Sequence, residues 1–320
     1  MVFLKSCFSF LAVMLAASVP STGVRAQAAH PEMVVSTEWL AQHLKEPKVV
    51  ILHVSDKRSE YDAGHIPGAR FLDTKAFIDH DNPLNTELPS PEQLKDAFEE
   101  LGISNDTRIV IYTTTWYPVA GRAYFTLDYM GLGGNASLLD GSIQRWRSEN
   151  RAISKSSSNS NANDAPPVAR GSLTLHVHPE VRAHLEAAKQ ASEPTSATRL
   201  VDSRPEKRYK DGHIAGAAHI FWEETVANGS KDPTLLSPEK LREIFAAQGI
   251  KPDQPLITYC EVGLQASHVY FIAKYLGYNA AMFDGSIHQW SHMEMLGLVP
   301  GETPRCPGGG HACEKPEKMQ

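Results

Sequence analysis

The stretch SEYDAGHIPGARF at 59–71 returns as KRYKDGHIAGAAH at 207–219, an offset of 148. LPSPEQLKDAFEELGI (88–103) and LLSPEKLREIFAAQGI (235–250) repeat at 147, as do IVIYT (109–113) and LITYC (256–260). LLDGSIQRW (138–146) and MFDGSIHQW (282–290) follow at 144. Four motifs in one order at nearly constant offset mean two copies of one domain. Between them KSSSNSNANDAPP (155–167) has no apolar period and reads as a flexible linker. The length of 320 residues agrees, at about 150 per domain.

Each copy alternates short β-rich runs with helical patterns. VVILHV (49–54), RIVIY (108–112), RLVDS (199–203) and PLITY (255–259) read as buried strands. Ser90, Pro91 and Gln93 supply the N-cap, first position and third position of a capping box, and Ser237-Pro238 begins the equivalent helix. Strands alternating with helices predict an α/β chain, each copy a parallel sheet with helices on both faces. In such sheets ligands bind beyond the carboxyl ends of the strands.

The hydrophobic fraction of 42% and charged fraction of 21% are ordinary for a globular protein. The net charge of −6, with no block of basic residues, argues against a nucleic-acid partner. The one long apolar run, Phe8–Ala17, is too short to span a bilayer, so no stable membrane insertion is expected. It follows Lys5 and precedes Pro20 and Val24-Arg25-Ala26, the pattern of a signal peptide over 1–26 cut after Ala26. Its removal takes Lys5 and Arg25 and moves the net charge from −6 to −8. A periplasmic or secreted location is therefore expected.

Export bears on the cysteines. Cys7 leaves with the leader; Cys260, Cys306 and Cys313 stay. Cys306 and Cys313 flank the flexible PGGGHA and are expected to form a disulfide, with a metal site shared with His311 as the alternative. Cys260 is then the odd thiol, either buried and inert or chemically employed. It ends a buried strand at Tyr259 and opens the loop Cys260-Glu261-Val262-Gly263-Leu264-Gln265, with a helix expected from near Ala266 or Ser267. Backbone N–H groups of such a loop and the helix N-terminus are expected to favour thiolate and to receive an anion.

These motifs resemble the tandem-domain rhodaneses, the family of thiosulfate and 3-mercaptopyruvate sulfurtransferases, and among them the exported bacterial type. The Gly-His-Ile-x-Gly-Ala signature stands at Gly64–Ala69 and Gly212–Ala217. The Cys-x-x-Gly-x-x-Ala/Ser loop is Cys260, Gly263 and Ala266, and Asp-Gly-x-x-x-x-Trp runs from Asp140 to Trp146 and from Asp284 to Trp290. The resemblance implies a degenerate rhodanese-like domain at 34–153, a linker at 154–170, a catalytic domain at 171–300 and a tail at 301–320. It implies that Cys260 carries sulfur as a persulfide and that Arg208 contacts the anionic donor. It further implies that the N–H groups of Glu261, Val262, Gly263, Leu264, Gln265 and Ala266 form the cradle. It implies as well that Asp202 and Arg204 support the loop. No cofactor or metal is called for. The substrates would be a small sulfur donor, thiosulfate in the first place, and a cyanide or thiol acceptor. A monomer suffices.

The loop departs from the family in carrying Glu261-Val262. Thiosulfate-specific relatives often have basic residues there and mercaptopyruvate-specific ones Gly-Ser, so the donor stays open. In the first copy Thr113 takes the Cys260 position, and at the 148 offset Val54, Asp56 and Glu60 stand for Asp202, Arg204 and Arg208. A hydroxyl forms no persulfide, and acids replace cations where an anion would bind. His65 and His213 read as structural; His268 and Trp222 read as packing residues that alternatively touch substrate. His288 and His292 lack the Glu of His-Glu-x-x-His and are not read as a zinc pair. A Cys-dependent phosphatase would need Arg where Ala266 stands. A non-catalytic binding or sulfur-sensing module would not need Cys260, Asp202 and Arg208 together.

Overall fold

The computed structural model describes residues 29–84, 86–114, 116–156 and 168–301. The expected signal peptide, most of the linker and the Cys306–Cys313 pair lie outside the described residues.

The first copy runs β1 (Val34–Val35), α1 (Thr37–His43), β2 (Val49–Ser55), α2 (Arg58–Ala63), β3 (Arg70–Asp73) and α3 (Pro91–Glu100). It continues through β4 (Arg108–Thr113), α4 (Pro118–Tyr129), β5 (Ala136–Leu139) and α5 (Ser142–Ser148). The second runs β6 (Arg182–Ala183), α6 (Leu185–Ser192), β7 (Arg199–Asp202), α7 (Glu206–Asp211), β8 (Ala218–His219), β9 (Val226–Asn228) and β10 (Asp232–Leu235). It closes with α8 (Pro238–Ala247), β11 (Leu256–Tyr259), α9 (Leu264–Leu276) and β12 (Ala280–Phe283). The sheets have the same order, β1-β5-β4-β2-β3 and β6-β12-β11-β7-β8, with every pairing parallel. The α/β class and the parallel sheets are as expected from the alternation of elements.

Local chemistry explains why the repeated motifs recur. Ser90 and Gln93 form the reciprocal capping box, each side chain accepting from the other's backbone N–H. In both Gly-His-Ile signatures the histidine stacks on a tyrosine one turn earlier: His65 on Tyr61 at 3.7 Å and His213 on Tyr209 at 3.9 Å. The ring Nδ1 meets that tyrosine's carbonyl, and the next amide donates to a strand tyrosine, Ile66 to Tyr112 and Ile214 to Tyr259. Both histidines are structural in geometry.

One apolar cluster covers the outer face of the first sheet, around Ile51, Val110 and Trp146, and another the outer face of the second, around Leu200, Ile257 and Trp290. The inner faces share a single core that joins Leu52 and Phe125 to Tyr270 and Phe271. Helices α4 and α9 cross there, with Phe125 edge-on to Tyr270 at 5.3 Å and Tyr124 edge-on to Phe271 at 4.9 Å. Each domain also sends a group ahead of its capped helix, Thr86 in the first and the β9–β10 hairpin in the second, across to the other's strand-end loop.

Candidate active site

Cys260 follows β11 directly and is 1% exposed. The Asp-Gly-Ser turn after β12 fixes its backbone. Cys260 N–H donates to Ser286 Oγ at 3.1 Å, while Ile287 and His288 N–H donate to the carbonyls of Cys260 and Glu261. Gly263 then takes φ +83° and caps α9, which begins at Leu264, two residues before the expected start. A Cβ on Gly263 would lie 2.8 Å from both the carbonyl oxygen and Oδ1 of Asp284, so the turn admits only glycine.

Backbone hydrogen bonding from the N–H groups of Ala266, Val262 and Gln265 in this turn favours the Cys260 thiolate. The net effect differs from the sequence reading, which expected the thiolate to be favoured. Burial pushes the Cys260 thiol above its usual value, the three N–H groups pull it back in part, and the charge of Asp202 pushes the same way as burial. Desolvation wins because the sulfur is enclosed on every side.

Asp202 ends β7 beside Tyr259 and is fully buried. It receives the backbone N–H of Arg204 at 3.0 Å and its guanidinium through Nε and Nη2, the latter at 2.7 Å. Arg204 also donates to the Gly212 carbonyl at 2.7 Å and reaches Glu261 at 3.4 Å. The two expected loop-supporting residues thus meet each other and the loop. Glu261 occupies the outer arm of Arg204, which therefore does not face the cleft as a free cation. Arg208 lies on α7, exposed; its neighbours Lys207 and Lys210 pair with Asp211 and Glu206. Arg208 forms no ion pair among the described residues.

Three comparisons bear on this arrangement. The profile of the Rhodanese-like domain matches residues 36–149 and 180–293. The chain belongs to the rhodanese family. It is 32% identical to the sulfur carrier protein TtuD of Thermus thermophilus, covering 86% of this chain and 99% of that one. It is 28% identical to the 3-mercaptopyruvate sulfurtransferase of Escherichia coli, covering 83% and 97%. It is 30% identical to the thiosulfate sulfurtransferase of Mus musculus, covering 80% and 91%. Among solved structures, SseA from Escherichia coli, a 3-mercaptopyruvate sulfurtransferase with the rhodanese fold, superposes with a TM-score of 0.68 at 29% identity, covering 79% and 98%.

The first rhodanese domain repeats the scaffold without the sulfur. Thr113 N–H donates to Ser142 Oγ at 3.0 Å as Cys260 does to Ser286. Sheet register corrects one equivalence: Tyr112 pairs with His53 as Tyr259 pairs with Asp202, so His53, not Val54, stands where Asp202 does. The stretch from His53 to the start of α2 is one residue longer than that from Asp202 to the start of α7, which a constant offset hides. His53 is fully buried, and burial pulls it down to about 3, helped by the His65 and Arg147 charges. Glu60 accepts from Ser55 at 2.8 Å.

Of the residues with open readings, His268 is an interior group of the domain interface. Thr225 Oγ1 donates to the Trp222 carbonyl at 2.7 Å and so accepts from His268 Nε2 at 2.8 Å. Trp222 is 2% exposed and packs against the His268 ring. His288 approaches the Pro83 carbonyl at 3.1 Å. Sequence reasoning missed Thr86, Glu87, Arg122 and Arg182, which meet across the domain boundary beside the Cys260 loop. No spacing rule pointed to them.

Proposed function

We propose that the chain is a sulfurtransferase that carries sulfane sulfur on Cys260. The observation that supports this most is the single described cysteine, enclosed at a strand end, with three backbone N–H groups aimed at its sulfur. Thiosulfate enters with its anionic sulfonate toward Arg208. The Cys260 thiolate attacks the outer sulfur; the S–S bond of the donor breaks, and sulfite leaves with the bonding pair. The persulfide formed is held by the N–H groups of Val262, Gln265 and Ala266. Cyanide or a thiolate then attacks the terminal sulfur, and Cys260 departs as thiolate. The logic is covalent catalysis in two displacements, with ping-pong kinetics.

Asp202 and Arg204 act as loop supports, and the donor is thiosulfate in preference to 3-mercaptopyruvate. Relatives carry both names, and the cation at 208 would meet the anion of either donor, so the preference is decided by kinetics. The protein acts after export, with residues 1–26 removed and Cys306 joined to Cys313. Intact mass after thiosulfate is expected to rise by one sulfur atom in the wild type and not in Cys260→Ser. Parallel kcat/KM values for thiosulfate and 3-mercaptopyruvate test the donor; a higher value for mercaptopyruvate would reverse that assignment.

A further inference from the structure

Thr86, ahead of the capped helix of the first domain, lies against the Cys260 loop. Thr86, 3% exposed, donates its hydroxyl to the Val262 carbonyl, and its own carbonyl accepts from Arg122 Nη2. Arg122, on α4 and fully buried, grips Asp284 with Nη1 at 2.5 Å and Nη2 at 3.3 Å. Asp284 is the residue against which Gly263 is pressed. Arg182 completes the cluster, paired with Glu87 and 3.6 Å from Asp284. The Val262 end of the turn is therefore held directly by Thr86, and the Gly263 end abuts an Asp284 that is fixed by Arg122, both of them side chains of the other domain.

Two arguments give this cluster a purpose beyond stability. A buried ion pair gains little over apolar packing, because desolvating two charges offsets most of their attraction. What it does supply is fixed direction, since a guanidinium fork meets a carboxylate in one geometry. The second argument is the contrast between the copies. Tyr124-Phe125 and Tyr270-Phe271 align α4 with α9 at an offset of 146, which pairs Arg122 with His268. The pseudo-symmetric position facing the Thr113 loop thus holds a neutral ring, beside Tyr117 at 5.3 Å. There Asp140 takes its charge partner, Arg145 at 2.9 Å, from its own domain. Among the described residues, the buried cation crosses toward the loop that has the cysteine and not toward the Thr113 loop.

We infer that Thr86 and Arg122 of the first domain are positioning residues that hold the Val262–Gly263 turn, so that the N–H groups of Val262, Gln265 and Ala266 stay aimed at Cys260. The inference rests on Cys260 being the sulfur carrier for its catalytic meaning, but not for its geometric one. The degenerate domain is then part of the working site.

The test compares the signal-free wild type with Thr86→Val, Thr86→Ser and Arg122→Lys, by hydrogen exchange and by thiosulfate–cyanide kinetics. Valine keeps the shape of threonine and removes the donor; serine restores it. In Thr86→Val, exchange in the peptide covering 260–266 is expected to quicken about tenfold, with α3 and α8 unchanged. Its kcat/KM falls about three- to tenfold, the worth of one hydrogen bond. Thr86→Ser returns both toward the wild type. Arg122→Lys, which keeps the charge but loses an arm of the fork, loosens the same peptide. Unchanged loop exchange in both Thr86→Val and Arg122→Lys overturns the inference, as does faster exchange spread over the whole chain. So does a loosened loop with wild-type kcat/KM. A wild type that transfers no sulfur refutes the proposed function instead, while the exchange result still decides the positioning.

Discussion

Gly121 of α4 lies so close to α9 that a Cβ there would sit 2.8 Å from the His268 Cα and 2.9 Å from its backbone nitrogen. The two domains meet backbone to backbone at this point, which is how Arg122, one residue on, reaches Asp284.

Gly121→Ala is accordingly expected to destabilise the protein. Alanine is the better helix former by about 1 kcal/mol, but the obstruction is main chain and cannot rotate away. Overpacking of this kind costs about 1–3 kcal/mol, and the net loss is expected as a melting point lower by several degrees. A variant at least as stable as the wild type would show that the helices separate freely.

Arg208→Ala is expected to lower kcat/KM for thiosulfate while leaving the melting point in place. The side chain is exposed and has no ion-pair partner among the described residues, so the fold has little to lose. A charge-assisted hydrogen bond to a bound anion is worth about 1.5–3 kcal/mol, a factor of roughly ten to a hundred or more. Lysine restores only part, as a point charge in place of a fork. Steady-state kinetics at fixed ionic strength decide it, and unchanged kcat/KM would remove Arg208 from the site.

Thr113→Cys is expected to create no second site. The introduced thiol would face His53 and Glu60 in place of Asp202 and Arg208, and Glu60 is already held by Ser55. In a Thr113→Cys, Cys260→Ser protein, treatment with thiosulfate should add no sulfur. Rapid persulfide formation there would mean that the first domain keeps a working anion site.

Two buried histidines make stability depend on acid. Burial pulls His53 and His268 to about 3 in the folded protein, against about 6.5 when unfolded. Above pH 6.5 neither state binds these protons. Below it the unfolded chain takes them up and the folded one does not, so stability falls as pH drops from 6.5 toward 3. By pH 5 each histidine removes about 2 kcal/mol relative to neutral pH. Urea midpoints at pH 7.5 and 5 should therefore drop less in His268→Gln than in the wild type, and equal drops would refute it.

Thiol counting on folded, signal-free protein is expected to find one slow-reacting thiol. Cys260 is enclosed and its acidity lowered by burial, so alkylation should rise about tenfold per pH unit past the range of an ordinary thiol. Three reactive thiols in oxidised protein would rule out the Cys306–Cys313 bond.

The two-copy organisation, the parallel sheets, the capping box at Ser90 and the place of Cys260 at a strand end were legible in the chain itself. Each depends on residues near one another: an alternating apolar pattern, a Ser-Pro-x-Gln cap, a glycine where φ must be positive. Such features repeat with the sequence because local backbone chemistry repeats with it. The histidines of the Gly-His-Ile turns were readable for the same reason, since the tyrosine that each stacks on lies four residues earlier.

Tertiary structure alone decided what faces the sulfur from across the boundary. Thr86 and Val262 are 176 residues apart, and Arg122 and Asp284 are 162 apart, so no periodicity links them. The replacement of Asp202 by His53 emerged only from sheet register, because an extra residue between His53 and α2 is invisible to a constant offset. The acidity of Cys260 was misjudged for a related reason. The N–H donors follow from the loop sequence, but desolvation depends on how completely the rest of the chain closes around the sulfur, and that is a property of packing.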